Sequence, residues 1–291
     1  MRIIRYSKLW YLISLLVIVP GIISLLTQGL NLGIDFQGGI MLELEFPNPV
    51  SSAELRSAVE SLGQNGQIQL AGEKIFILKI KELPEKETQT FIQGLEKKFP
   101  GMKVNRNEIV SGVVGKELTA KAIYALTIAG LLMIVYITIR FELYFGIAAV
   151  LALVHDVLVT IGLFSIFRWE VDSTFIAAIL TIVGYSINDT IVIFDRIREN
   201  LKNMAKEPLE RIVDVSIRET IVRSLTTGMT VIIGLIALLV FGGESTKNFT
   251  IAMLIGCISG SYSSIFCASP IWYSIKTTLA KDKSRLQTSV K

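Results

Sequence analysis

The sequence predicts a polytopic α-helical membrane protein with six transmembrane helices and one external α+β domain between the first two. Apolar residues make up 51% of its 291 positions and charged residues only 19%, less charge than a soluble chain of this length carries. The segments Leu9–Leu26, Ala122–Ile139 and Leu225–Phe241 contain no charged residue. Each can cross roughly 30 Å of hydrocarbon as a helix. Because lipid offers no partner for backbone polar groups, such segments must be helical.

Basic residues set the expected topology of the six spans. The spans are placed at about 9–27, 121–139, 144–167, 173–194, 225–241 and 249–275. Lysine and arginine precede the first span, fill the link between the fourth and fifth, and follow the sixth at Lys276, Lys281, Lys283, Arg285 and Lys291. Since such residues favour the cytoplasmic side, both termini are expected inside and the segment 28–120 outside.

The chain is thereby divided into four parts. They are an N-terminal transmembrane helix (1–27), an external domain (28–120), a five-helix transmembrane region (121–275) and a basic cytoplasmic tail (276–291). The first apolar stretch is longer than the apolar core of a signal peptide and no clean cleavage site follows it. It is therefore interpreted as a retained signal anchor.

The external segment has the pattern of a small α+β domain. Alternating apolar residues predict a strand at Ile40–Phe46 and another at Met102–Val110, and a hairpin is expected over 67–80. Helical spacing at Ser52–Ser61 and Glu85–Phe99 supplies two helices. The order β-α-β-β-α-β is that of the split βαβ, ferredoxin-like arrangement. A domain of about 80 residues buries little surface and is only marginally stable alone, so it is expected to be stabilised by contacts with a partner.

Several functional classes are excluded by residue types and spacing. The net charge of +4 is located at the ends of apolar segments, which argues against nucleic-acid binding. Cys257 and Cys267 share one apolar run and His155 is the single histidine, so no metal site is predicted. The glycine- and lysine-containing string after the domain has Val110 and Glu117 where a P-loop needs glycine and serine or threonine. No cofactor or enzymatic motif is predicted.

Ionisable residues inside the predicted spans are the best functional candidates. His155 and Asp156 lie midway along the third span, and Asp189 follows Asn188 in the fourth. A charge at the bilayer centre costs about 2.5–3.5 kcal/mol on insertion scales, so such residues face the bundle and find partners. One interpretation is a fixed polar contact between helices, worth about 0.6 kcal/mol. The other is a proton relay, in which Arg223 at the start of the fifth span is the basic partner of Asp189.

The sixth span carries small residues at fourfold spacing. Gly256 and Gly260 continue a series that includes Ala252, Ser264 and Ala268. Such a series lets a neighbouring helix approach closely, and helix packing is its simplest explanation.

Four strings of residues resemble the SecD/SecF family of bacterial protein-export subunits, which belongs to the RND-type superfamily. The string after the first span is similar to the family's GxDFxGG signature, with Gly33, Asp35, Phe36, Gly38 and Gly39. The fourth-span string resembles the SecF branch in particular and contains Gly184, Asn188, Asp189, Asp195, Arg196, Arg198 and Asn200. The third-span and fifth-span strings begin at His155 and Arg223, and Ser224 replaces a common threonine.

The resemblance implies a function. A member of the SecF branch pairs with SecD beside the SecYEG channel. It lies in the lipid of the bacterial plasma (inner) membrane together with other accessory subunits. It uses the proton motive force to help unfolded preproteins cross, with protons as the coupling ion. Asp189 and Arg223 correspond to the residues implicated in proton passage, with Asn188 next to them and His155 and Asp156 as further candidates. Two alternatives stay open: a passive scaffold that holds SecD to the channel, and an RND-like exporter of lipids or small molecules.

Overall fold

The computed structural model describes residues 2–110 and 112–278. Six of its helices are long and apolar enough to cross a membrane, which confirms the predicted polytopic helical architecture. From residue 279 onward, the predicted basic tail lies outside the described residues. The helices are α1 (Ser7–Gln28), α2 (Ile34–Gln37), α3 (Ser52–Ser61), α4 (Glu85–Lys98), α5 (Gly112–Arg140), α6 (Leu143–Phe167), α7 (Ser173–Asn203), α8 (Leu209–Phe241) and α9 (Glu244–Ser263). The strands are β1 (Asn31–Leu32), β2 (Gly39–Glu45), β3 (Gly66–Leu70), β4 (Ile75–Ile80), β5 (Lys103–Val110) and β6 (Glu170–Val171).

Two of the long helices extend beyond their apolar segments. Helix α7 was expected to leave the membrane near residue 194 but continues to Asn203, and α8 begins at Leu209. The charged end of α7 stays helical because Ile197 and Asn200 remain buried there. At its other end, Asp172 caps the helix by accepting a hydrogen bond from the Phe175 backbone N–H at 3.0 Å.

Helices α6, α7 and α9 form the centre of the bundle, and α1, α5 and α8 lie around them. One core cluster contains Phe145, Phe194 and Trp272, with Phe145 stacked on Trp272 at 4.5 Å between ring centroids. Helices α1 and α6 meet at Gly21 and Gly162, where an added Cβ would come within 2.9 Å of the facing Cα. Backbones that approach so closely require glycine on both helices.

Four strands and two helices form a separate α+β unit. The sheet order is β3-β4-β2-β5 and all neighbouring strands are antiparallel. Strand β2 alternates buried Ile40, Leu42 and Leu44 with more exposed residues, so its inner face packs under α3 and α4. Phe76 and Leu95 complete the core of this unit.

A second, very small sheet pairs residues 31–32 with residues 170–171. Strands β1 and β6 pair in parallel, with Asn31 opposite Glu170 and Leu32 opposite Val171. This pairing was not predicted, because strands of two residues have no periodicity to recognise. It fixes the segment after α1 to the link between α6 and α7.

Candidate functional site

Asp156 on α6 is fully buried, and its carboxylate accepts hydrogen bonds from three serine hydroxyls. Ser186 of α7 donates at 2.7 Å, and Ser259 and Ser263 of α9 donate at 2.6 and 2.7 Å. The His155 ring adds a contact from Nδ1 at 3.0 Å. A buried carboxylate is tolerated when its oxygens are hydrogen-bonded in this way. Asp156 therefore holds the centres of α6, α7 and α9 together.

His155 extends this network to α1. Its Nε2 lies 2.9 Å from the Ser14 hydroxyl, which in turn is 3.5 Å from the Cys267 sulfur. The ring also stacks on Tyr262 with 6.0 Å between centroids. A cavity of about 350 Å³ opens beside His155 between α1, α6 and α9. His155, Ser14 and Ser259 are thus members of the network that border open space.

Among the residues that the structure describes, Asp189 on α7 has fewer hydrogen-bond donors around it than Asp156. Its side chain is buried, with 8% of the residue's surface exposed, and it accepts one hydrogen bond within the described part of the chain. The donor is the Ser264 hydroxyl at 2.5 Å. Ser264 opens a π-helical turn, Ser264–Ala268, which interrupts the continuous α-helix. Single π turns of this kind are frequent at functional sites because they redirect one side chain.

Consecutive serines connect the two acids. Ser263 donates to Asp156 and Ser264 donates to Asp189, so the junction between α9 and the π turn contacts both carboxylates. On α7, Ser186 and Asp189 are three residues apart and therefore share one helix face. We name these groups the acid–serine cluster; its members are Asp156, Asp189, His155, Ser14, Ser186, Ser259, Ser263 and Ser264.

Arg223 is not brought together with Asp189. It is exposed on α8, and between these two described side chains there is no ion pair or hydrogen bond. The residue of α8 that faces the interior is the next one, Ser224, whose buried hydroxyl has no hydrogen-bond partner among residues 2–110 and 112–278. A role for Arg223 in proton passage therefore remains a prediction that this arrangement does not display.

The charged end of α7 is fixed to α8. Arg196 donates from Nε to Glu219 at 2.7 Å and from Nη1 to Glu199 at 2.6 Å. Asn200 donates to Ser216 at 3.1 Å and to Glu219 at 2.8 Å. These contacts are structural, since they set the relative position of two antiparallel helices at the end of the bundle.

Other residues of the fourth-span string lie away from the acids. Asn188 and Gly184 are exposed on the outer face of α7. Asp195 is also exposed and lies 3.8 Å from Arg140, and Arg198 donates to the Arg140 carbonyl at 2.6 Å. The predicted neighbour of Asp189, Asn188, therefore points away from the acid–serine cluster.

The glycine-rich string Gly33–Gly39 forms a tight corner between α1 and the α+β unit. Phe36 is buried in a core cluster of the bundle. The Asp35 carboxylate accepts a hydrogen bond from the Ser173 backbone N–H at the start of α7, at 2.9 Å. Gly38 adopts a φ of 82°, which side-chain-bearing residues rarely adopt. The string thus links α1 to the sheet and also contacts the start of α7.

Gly256 and Gly260 lie where α9 crosses α7. A Cβ on Gly256 would collide with the side chain of Ile182, and one on Gly260 would lie 3.1 Å from the Ser186 Cβ. The glycines therefore permit the approach that lets α9 serines reach the acid–serine cluster.

The serines of the cluster were missed as site residues. They are uncharged, and hydroxyls occur often in membrane helices for simple packing. A usable signal did exist, because Ser259 and Ser263 are four residues apart and so share a helix face. Within the described residues no group of three or more His, Cys, Asp and Glu could hold a metal ion.

Comparison with known proteins gives two family matches. Residues 90–278 match the family described as "Protein export membrane protein SecD/SecF, C-terminal", and residues 23–50 match the "SecD/SecF GG Motif". The protein translocase subunit SecF of Sebaldella termitidis is 40% identical over 284 residues, covering 95% of this chain and 92% of that protein. SecDF of Bacillus subtilis is 42% identical over 285 residues, covering 96% of this chain and 38% of that protein.

Two crystal structures have the same fold. SecDF of Thermus thermophilus, a translocon-associated membrane protein, is 31% identical with a TM-score of 0.82 over 95% of this chain. SecDF in a super-membrane-facing form is 30% identical with a TM-score of 0.79 over 98% of this chain. The chain spans 39% and 40% of the length of those two proteins.

Proposed function

The chain belongs to the SecD/SecF family of protein-export membrane proteins, and from this premise we propose that it is an accessory Sec translocase subunit driven by protons. In this proposal, proton binding and release in the acid–serine cluster changes the packing of α6, α7 and α9. The change helps an unfolded preprotein to cross the membrane. The subunit is not an enzyme; the coupling ion is the proton.

The difference between the two buried acids carries this proposal. The Asp156 carboxylate accepts from three serine hydroxyls and contacts His155, whereas Asp189 accepts one hydroxyl within the described residues. We therefore assign Asp156 to the fixed contact between helices and Asp189 to proton exchange.

The available energy is sufficient for such a cycle. One proton that crosses a potential of 100 mV releases about 2.3 kcal/mol. This biases a two-state equilibrium by about fiftyfold, because every 1.4 kcal/mol is a factor of ten. The serine hydroxyls can both donate and accept hydrogen bonds, as groups on a proton route must.

Arg223 enters the proposal as the partner of Asp189 in a second state. Its neighbour Ser224 faces the bundle with an unpaired hydroxyl, so α8 has a polar residue available at this level. A rotation of α8 by about 100° would replace Ser224 by Arg223 on the inner face, since this is the angle between adjacent helix positions. An arginine beside Asp189 would then favour release of its proton.

The orientation and partners are part of the same proposal. We place the α+β unit outside the plasma (inner) membrane and both termini in the cytoplasm, following the basic residues of the links. The strand order β3-β4-β2-β5 supports a ferredoxin-like assignment for this unit. The SecDF relatives, in which a similar segment is part of a longer chain, support SecD as the direct partner. SecYEG and preproteins are the further partners proposed.

The test is gradient-dependent preprotein translocation into inverted membrane vesicles. We expect Asp189→Asn to lose the stimulation by a proton gradient while ATP-driven translocation and association with SecD persist. Asp195→Asn is the matched control, because it makes the same change on the same helix at an exposed position. Unchanged stimulation in Asp189→Asn would disprove the proton pathway.

A passive scaffold is the second candidate, and one observation favours it. The network around Asp156 joins four helices through hydrogen bonds and resembles a structural core. In a scaffold, Asp189→Asn would leave gradient-driven translocation intact, and only variants that loosen the complex would reduce it. The same vesicle assay, with SecD retention measured in parallel, separates the two functions.

A further inference from the structure

Glu170 occupies the joint between the α+β unit and the membrane bundle. It lies in β6, opposite Asn31, just before the N-cap of α7. Its partly buried side chain lines a cavity of about 180 Å³ whose other walls include Gly33, Gly66 and Lys79. A second cavity, of about 550 Å³, continues from Glu170 towards α9. The carboxyl group therefore lies between the sheet edge and the helix ends.

The glycine-rich corner is shaped around this carboxyl group. A Cβ on Gly33 would collide with the Glu170 Oε1 atom. The Gly33 backbone N–H, in turn, donates to the Val171 carbonyl at 2.8 Å. The absence of a side chain at position 33 thus provides the space in which the Glu170 side chain lies.

Charged groups approach Glu170 from each element around it. Lys79 lies on β4 of the α+β unit, Asp35 on α2 and Asp172 at the N-cap of α7. Lys81, Arg168 and Lys247 also line the two cavities. Burial, which is the largest influence, raises the pKa of Glu170 to about 7; Lys79 opposes the rise, and Asp172 and Asp35 add to it. The carboxyl group therefore titrates near neutral pH.

We propose that Glu170 is a further proton-accepting residue of the transport cycle and that its protonation controls how firmly the α+β unit is seated on the bundle. The link to transport rests on the proposed function, whereas the seating equilibrium does not. Residues 65–67 and 79–81 of the α+β unit line the same cavities as Glu170, so a charge that appears on this carboxyl group acts on the joint itself.

The direction of the effect follows from linkage. The described arrangement raises the pKa of Glu170 above its ordinary value of 4.5, so this arrangement binds the proton more tightly than a hydrated one does. The seated arrangement is thus favoured fully at low pH, and the preference is lost as pH rises from about 4.5 to about 7. Ionisation favours an opened joint in which water reaches the carboxylate.

Pulsed EPR distances on the full-length chain in lipid nanodiscs test the seating equilibrium. One spin label is attached through Ala71→Cys on the exposed β3–β4 hairpin and the other through Phe167→Cys at the end of α6, with Cys257 and Cys267 replaced by alanine. We expect the distance distribution to change with pH, with its midpoint between about 4.5 and about 7, the window set by the hydrated and the buried pKa of Glu170.

Three variants make the test specific. Glu170→Gln is expected to keep the low-pH distribution at every pH. Lys79→Gln is expected to move the midpoint to higher pH, because it removes the charge that lowers the pKa of Glu170. Glu60→Gln, an exposed acid on α3, is the matched control and should titrate like the unmodified chain.

Two results would overturn the seating equilibrium: a distribution that does not respond to pH, or a Glu170→Gln chain that still responds. If Glu170→Gln does not accumulate in membranes, the Lys79→Gln midpoint decides, since an unchanged or lowered midpoint contradicts the proposal. The link to transport is tested by gradient-driven translocation with Glu170→Gln. Full stimulation there, together with loss in Asp189→Asn, would refute the role of Glu170 in transport and leave the proposed function intact.

Discussion

At the scale of single residues, the two buried acids differ in the number of hydrogen-bond donors around them within the described residues. Asp156 has three hydroxyl donors and a histidine, and any one of them can be lost without leaving the carboxylate bare. Asp189 depends on Ser264 within the described residues. The cost of losing a donor should therefore be very different at the two acids.

Ser264→Ala and Ser263→Ala make this comparison on consecutive residues, at the end of α9 and the start of the π turn. Losing a hydrogen bond to a charged group costs about 1.5–3 kcal/mol, on the order of tenfold or more in an equilibrium. We expect Ser264→Ala to reduce gradient-stimulated translocation by about that factor and Ser263→Ala to reduce it by much less. The measurement is the stimulation ratio in inverted vesicles at equal protein levels.

Ser261→Ala is the control for these two substitutions. Its hydroxyl contacts Tyr185 at 3.3 Å and neither of the two acids. Equal losses in Ser263→Ala and Ser264→Ala would mean that donor number does not distinguish the acids, and the assignment of Asp189 as the exchanging residue would fail.

At the scale of elements, the crossing of α7 and α9 determines whether the acid–serine cluster can form. The glycines of α9 allow the approach, and the π turn Ser264–Ala268 begins at the serine that donates to Asp189. A regular α-helix would rotate the residues after the turn by about 100°, because the π turn contains one extra residue. Packing and chemistry are therefore coupled in this one helix pair.

Gly256→Ala is expected to destabilise the α7–α9 crossing. Its new methyl group would overlap the Ile182 side chain, and overpacking of this kind costs about 1–3 kcal/mol. Gly184→Ala on α7 is the matched control, because nothing lies within 4 Å of its added Cβ. That change should be neutral or slightly stabilising, since alanine is the better helix former.

Thermal unfolding in detergent, followed by the loss of folded protein on size exclusion, compares the two variants. A lower transition temperature for Gly256→Ala alone is the expected result. Similar transition temperatures for both would show that α7 and α9 can separate without a penalty, so the glycines would not be needed for the crossing.

At the scale of the whole molecule, the three outer helices of the bundle are poorly covered by the rest of the chain. Helices α1, α5 and α8 expose many large apolar side chains, among them Leu16, Leu132 and Ile233. In a membrane these side chains meet lipid or the apolar helices of a partner. The uneven burial agrees with the fusion relatives, in which a segment like this one is part of a longer chain.

Cysteine accessibility tests the proposed orientation of the molecule. In a chain without Cys257 and Cys267, we expect Glu73→Cys on the hairpin of the α+β unit to react with a membrane-impermeant maleimide from outside the cell. Lys206→Cys, in the link between α7 and α8, should react only in inverted vesicles. Both native positions are exposed, so burial would not hide either label. The reverse pattern would invert the topology and place the α+β unit in the cytoplasm.

The sequence alone determined the membrane class, the number of spans and the residues expected to matter inside them. Long uncharged runs have only helical solutions in lipid, and His155, Asp156 and Asp189 are conspicuous because charge is costly there. The strand and helix pattern of the α+β unit was also predictable, since its periodicities of two and 3.6 residues are visible in the chain.

Only the tertiary structure decided which groups surround each acid. The serines on α9, the π turn and the exposure of Arg223 depend on how helices are rotated against one another, and uncharged or flexible residues leave no clear pattern of that rotation in a single sequence. Glu170 was missed for the same reason: its environment comes from Gly33 and Lys79, which are distant in the chain. A carboxyl group's chemistry depends on its neighbours in space, and folding alone brings those neighbours together.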